Sequence, residues 1–142
     1  MTKVEIIVGS MLGASEYVAD TIAAHFSEQG WLTEIHLEPN LADIPASNLW
    51  FICSSTHGAG DFPDNIQPFA EQLKSASLNN TEFYLIGLGD TSYDTFCEAG
   101  KNLSELMQKA GAKALLAPLY IDVLEHPVPE DYALEWMQEN IS

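Results

Sequence analysis

Arginine is absent from the 142 residues and lysine occurs five times, against 21 aspartates and glutamates, for a net charge of −16. A chain so poor in cations has little with which to displace counterions from a phosphodiester backbone, which argues against nucleic-acid binding. Cysteine is scarce as well. Cys53 and Cys97 stand far apart in no CxxC pattern, so the chain reads as reduced and cytoplasmic. No apolar run approaches the ~18 residues of a membrane span. The opening MTKVEIIVGS breaks its apolar run at Glu5 and does not form a signal h-region. Nine glycines and seven prolines are too few for collagen or a disordered linker. What remains, 46% hydrophobic and 10% aromatic, fits one compact domain over residues 1–142 with a sizeable core.

Three apolar runs, Val4 to Val8, Leu49 to Cys53 and Phe83 to Leu88, are continuous, as in parallel strands covered on both faces. Trp31 to Leu37 suits a second strand and Lys113 to Ile121 a fifth, where Pro118, lacking a ladder donor, belongs at a sheet edge. Val18, Ile22 and Phe26 recur at helical steps, and so do Phe96, Ala99, Leu103, Leu106 and Ala110, with Gly30 and Gly111 as stops. A last helix is expected from Pro129, carrying Tyr132, Trp136 and Met137. A β-α unit repeated about five times with right-handed crossovers gives a doubly wound α/β sandwich. Ligands of such sheets sit beyond the carboxyl ends of the strands, which directs attention to the loops after the first, third and fourth.

The first loop, Gly9-Ser10-Met11-Leu12-Gly13-Ala14-Ser15-Glu16, is rich in small residues and hydroxyls, and its amides with the following helix N-terminus would form an anion nest. Val4 through Leu73 contain no Lys or Arg, so a phosphate there depends on neutral donors, and no P-loop lysine is available for a nucleoside triphosphate. The plainer alternative is a capped turn, with Ser15 as the cap. The second loop, Ser54-Ser55-Thr56-His57-Gly58-Ala59-Gly60-Asp61-Phe62-Pro63-Asp64-Asn65, combines a planar side chain with glycines that allow close backbone approach. His57 and Asp61 alone are too few to hold a metal. The third, Gly87-Leu88-Gly89-Asp90-Thr91-Ser92-Tyr93-Asp94-Thr95-Phe96-Cys97, offers Tyr93 either to stack on a flat ring or to staple the next helix. Phe96 is expected in the core, and Cys97 as a buried or half-buried thiol without a basic neighbour to activate it.

Together GSMLGASEYVA, STHGAGDFPDN and GLGDTSYDTFC resemble the phosphate loop and the two flavin loops of the flavodoxin family, and the resemblance covers essentially the whole chain. It implies a three-layer sandwich with a five-stranded parallel sheet in the order 2-1-3-4-5, and FMN as cofactor. The implied FMN contacts are Ser10, Met11, Leu12, Gly13, Ala14 and Ser15 for the phosphate, with Ser55, Thr56, His57, Gly58, Ala59 and Gly60 from the second loop. Leu88, Gly89, Asp90, Tyr93, Phe96 and Cys97 come from the third. His57 and Tyr93 would flank the isoalloxazine, with the Gly58 backbone near flavin N5. The chain departs from the family at Leu12, where a threonine is usual, and at His57, where many members carry Trp or Tyr. Asp122 is assigned no role.

The resemblance implies a carrier of single electrons; the acidic loops favour a low potential, and the net charge of −16 serves either solubility alone or, with a flavin site, docking to a basic-surfaced flavodoxin or ferredoxin reductase and to acceptor enzymes. One carboxylate ~10 Å from a reduced flavin costs about 1.7 kcal/mol at an effective dielectric of ~20, some ~70 mV for one electron before screening. Asp61, Asp64, Asp90 and Asp94 all stand in these loops. Two alternatives belong to other classes. A flavin-dependent NAD(P)H or quinone reductase would need room beside the ring for a second substrate. A phosphoacceptor signalling domain would need acids where the first strand ends in Gly9-Ser10 and the third in Ser54.

Overall fold

The computed structural model describes residues 2–10, 13–57 and 60–141. Its strands are β1 (Lys3–Gly9), β2 (Leu32–His36), β3 (Leu49–Ser55), β4 (Glu82–Gly89), β5 (Lys113–Ala114) and β6 (Leu119–Asp122). The helices are α1 (Ala14–Glu28), α2 (Gln67–Leu73), α3 (Glu98–Lys109) and α4 (Pro129–Asn140). All strand pairs are parallel, in the order β2-β1-β3-β4-β5, with β6 also on β4, so the expected order holds. Alternate residues of each central strand serve opposite faces. Val4, Ile6, Val8, Phe51 and Cys53 meet α1 and α4, while Ile7, Trp50, Ile52, Phe83 and Leu85 meet α2 and α3.

Sheet and helices differ from the sequence pattern in four places. The expected fifth strand is two pieces. From Phe83 to Ile86 β4 advances three residues while its partner advances five, from Ala114 to Leu119. The excess loops out around Pro118, whose missing N–H costs nothing in a bulge. Between β2 and β3 there is no α-helix, only a 3-10 turn at Leu41–Asp43, so β and α do not alternate throughout. Helix α3 starts at Glu98, leaving Phe96 half-buried in the loop before it and giving the core Met107 in its place. Ser15 does not cap α1. Gly13 does, at φ +92°, and Ser15 lies inside the first turn, fully buried.

On the β1–β2 corner next to the missing helix, a polar network takes the place of apolar cover. Glu5, 1% exposed, accepts from His36 Nε2 at 2.8 Å and Asn48 Nδ2 at 2.9 Å, and pairs with Lys3 Nζ at 3.3 Å. Lys3 also reaches Glu34 at 2.7 Å, which holds the Glu34 carboxyl below its ordinary range. Its ammonium therefore fills the cation position between the two carboxylates.

Candidate functional site

Parallel strands leave their carboxyl ends on one edge, so the exits of β1, β3 and β4 converge there. Asn65 ties the first exit to its neighbours, accepting from Ser10 N at 2.9 Å and donating Nδ2 to Val8 O at 2.7 Å and Leu37 O at 2.9 Å. It satisfies backbone groups that the ends of β1 and β2 would otherwise leave open. Ser10 Oγ then accepts from Gly13 N at 3.0 Å, folding the loop toward the N-terminus of α1.

The second loop closes on itself where His57 N donates to Asp61 O at 2.9 Å and Asp61 N to His57 O at 2.8 Å. Gly60, at φ +99°, stands so near Thr95 and Glu98 that a Cβ would meet both at 3.1–3.3 Å. Thr56 Oγ1 accepts from Ala99 N at 3.2 Å and caps α3, whose own N-cap residue makes no side-chain cap. The third loop turns on Asp90, whose Oδ1 accepts from Ser92 N at 2.8 Å and Ser92 Oγ at 2.6 Å.

Between these loops lies a cleft of about 350 Å³ lined by Ala14, Ser55, Thr56, His57, Leu88, Gly89, Asp90, Tyr93, Thr95, Cys97 and Val123. Leu88 is buried, whereas the rings of His57 and Tyr93 are exposed, Tyr93 by 60%. Neither Lys nor Arg lines the cleft, and Asp61, Asp64 and Asp94 are exposed in its loops. Burial pushes the Cys97 thiol up to about 12, so at neutral pH it is a protonated donor, 3.5 Å from Gly87 O, and not a nucleophile.

Nine of the residues expected from the sequence line this cleft. Ser10 and Gly13 stand at the loop beside it, and the Ser15 hydroxyl, instead of facing solvent, is paired with Ser55 Oγ at 2.6 Å. Gly60 supports the second loop from behind, and Phe96 packs beside Gly89 without lining the cleft. Met11, Leu12, Gly58 and Ala59 lie outside the described residues. Thr95 and Val123 were missed because neither carries a signal beyond its place in a loop. Asn65 was legible only as a polar residue in the second loop.

The cleft suits a flat, partly apolar ring with an anionic tail: the exposed planar side chains of His57 and Tyr93 and the buried aliphatic Leu88 line it, and Ala14, the first residue of α1, brings a helix N-terminus to its edge. A parallel α/β sandwich with such a site at its strand exits defines a flavin-binding electron-transfer fold. The family model for flavodoxin matches residues 6–136, and the chain belongs to the flavodoxin family, whose cofactor is FMN. It is similar to the protein MioC of Escherichia coli, 45% identical over 139 residues covering 96% of this chain and 95% of MioC. Flavodoxin YqcA of the same organism is 35% identical over 144 residues, 98% of this chain and 96% of YqcA. Among solved structures, a cysteine-to-alanine variant of flavodoxin from Pseudomonas aeruginosa superimposes with a TM-score of 0.89 at 31% identity, covering 97% of this chain and 95% of that one.

Proposed function

We propose that this chain is a single-domain, cytoplasmic carrier of single electrons that works at low potential between a basic-surfaced flavodoxin or ferredoxin reductase and acceptor enzymes. The observation that carries the reading is the cleft itself. It presents two exposed planar side chains, His57 and Tyr93, on a largely apolar lining, and its thiol is protonated. Among the described residues, no hydroxyl or thiol of its lining is hydrogen-bonded to His57 or Asp90, which supports a carrier over a catalyst with its own substrate.

FMN, when bound, supplies one- and two-electron redox chemistry. The chain's own residues would hold and expose it. Amides of the first loop and the α1 N-terminus, with the Ser10 hydroxyl, would offer neutral donors to the phosphate, while Ser15, buried against Ser55, would support the first turn of α1 from within. His57 and Tyr93 flank the ring, while Leu88 closes the floor against water. Asp61, Asp64, Asp90 and Asp94 disfavour added negative charge at the ring and so lower the potential. The same acids, within a net charge of −16, steer a basic partner to the open edge. Among the described residues, no helix is long and apolar enough to cross a membrane.

The test is electron counting. Protein reconstituted with FMN, freed of excess flavin and reduced chemically should pass its electrons singly to ferric cytochrome c, about two equivalents per flavin. Failure to bind FMN, or reduced protein that gives nothing to a one-electron acceptor, overturns the reading.

A further inference from the structure

The wall of the cleft that carries Tyr93 is an exposed one. Thr91, Ser92, Tyr93 and Asp94 all face solvent, and the bonds within the loop, from Ser92 to Asp90 Oδ1 and from Tyr93 N to Asp90 O at 3.1 Å, shape the turn without fixing it to the sheet. Among the described residues, one side chain outside the loop grips this exposed tip. Asp122, the last residue of β6 and 8% exposed, accepts from Thr91 Oγ1 on Oδ2 and from Thr91 N on Oδ1 at 3.4 Å. The same Oδ1 accepts from Leu124 N at 2.9 Å, and Val123 N donates to Gly89 O at 2.9 Å. The exits of β4 and β6 are thus laced together, with Thr91 held to the lace two residues before Tyr93.

We infer that Asp122 is a positioning residue for the flavin: through Thr91 it sets where Tyr93 stands, and thereby FMN affinity and potential, without touching the cofactor. The inference rests on the reading that Tyr93 stacks on the ring. Its physical basis is the strength of a hydrogen bond to an ionised acceptor and the entropy that a free loop would otherwise retain. The bonds from Thr91 and Leu124 hold the Asp122 carboxyl below its ordinary range, so the tether is ionised across the physiological span.

Thr91→Val removes the tether and keeps the charge of Asp122, whereas Thr91→Ser keeps both. FMN affinity and midpoint potential are measured for these two variants, for Asp122→Asn, for Tyr93→Ala and for the double variant Thr91→Val/Tyr93→Ala. Thr91→Val should weaken FMN binding roughly tenfold and shift the potential, with Thr91→Ser close to the parent protein. In the Tyr93→Ala background the same change should have little further effect, because the two act through one contact. An equal loss in both backgrounds overturns the inference, as does a Thr91→Val that binds and titrates like the parent. A potential that shifts in Asp122→Asn alone assigns the effect to charge and also overturns it. If Tyr93→Ala itself binds FMN normally, the stacking reading fails and the inference with it; if Tyr93→Ala is weak and Thr91→Val is not, only the inference fails.

Discussion

Tyr93 leaves 60% of its surface in water at the lip of the cleft, an arrangement from which the folded chain alone gains little hydrophobic stabilisation. A ring lying against it would recover that area. Tyr93→Ala should therefore weaken FMN by about 1–3 kcal/mol, taking base–aromatic stacking as the guide, and leave the melting midpoint of the flavin-free protein unchanged. Fluorescence titration reads the first quantity and thermal unfolding the second; binding equal to the parent would make Tyr93 a helix staple only. His57, with a smaller ring, should lose less on the same substitution. Ser15 shows what residue-by-residue reading misses. A serine at a helix start reads equally as a cap or an anion ligand, and the sequence pattern does not reveal that it is fully buried against Ser55. Ser15→Asp should accordingly lower the unfolding midpoint as well as FMN affinity, since a buried carboxylate adds its own desolvation cost. Loss of affinity with an unchanged midpoint would contradict that packing.

At the scale of elements, the central strands were legible because burial on both faces demands continuous apolar runs, and Val4–Val8, Leu49–Cys53 and Phe83–Leu88 each extend by only a residue or two. Helix α2 was not, since Gln67–Leu73 is too short to show a period. Pro118 announced an edge but not the slip in register that it permits. The Glu5 network was invisible in the same way: a glutamate in an apolar run looks like a solvent-facing residue until β2 brings the His36 side chain to it from the position beside Ile7. His36→Ala removes one partner of a buried carboxylate and should cost about 2 kcal/mol of stability, measured by urea unfolding, with FMN affinity unaffected. A change in affinity of comparable size would mean that the β1–β2 corner communicates with the cleft.

Over the whole molecule, charge and burial make separate predictions. Burial pushes both Cys53 and Cys97 up to about 12. Below the ordinary thiol range both forms are protonated and nothing is lost. Above it the unfolded chain ionises while the folded one resists, so stability should fall as pH rises from about 9 toward 12. The fall between neutral and alkaline pH, followed by urea unfolding, should be shallower in Cys53→Ala; an unchanged slope would show that thiol burial is not responsible. Net charge of −16 raises a different question, whether the acids dock a partner or only keep the chain in solution. Neutralising Asp61, Asp64, Asp90 and Asp94 should flatten the salt dependence of electron exchange with a reductase more than neutralising Glu28, Glu105, Glu135 and Glu139, which are exposed away from the cleft loops. Stopped-flow reduction across ionic strength compares the two sets, and equal losses would leave the loops without a docking role.

The central claim is that the FMN-loaded chain passes electrons on and performs no reduction of its own. It is tested most directly by following NADPH oxidation with cytochrome c as final acceptor, with and without a flavodoxin or ferredoxin reductase. The expected result is no turnover by the FMN-loaded protein alone, and turnover with reductase present that rises in proportion to the carrier. Sustained NADPH oxidation by the protein without a reductase would contradict the claim and make it a flavin-dependent reductase in its own right.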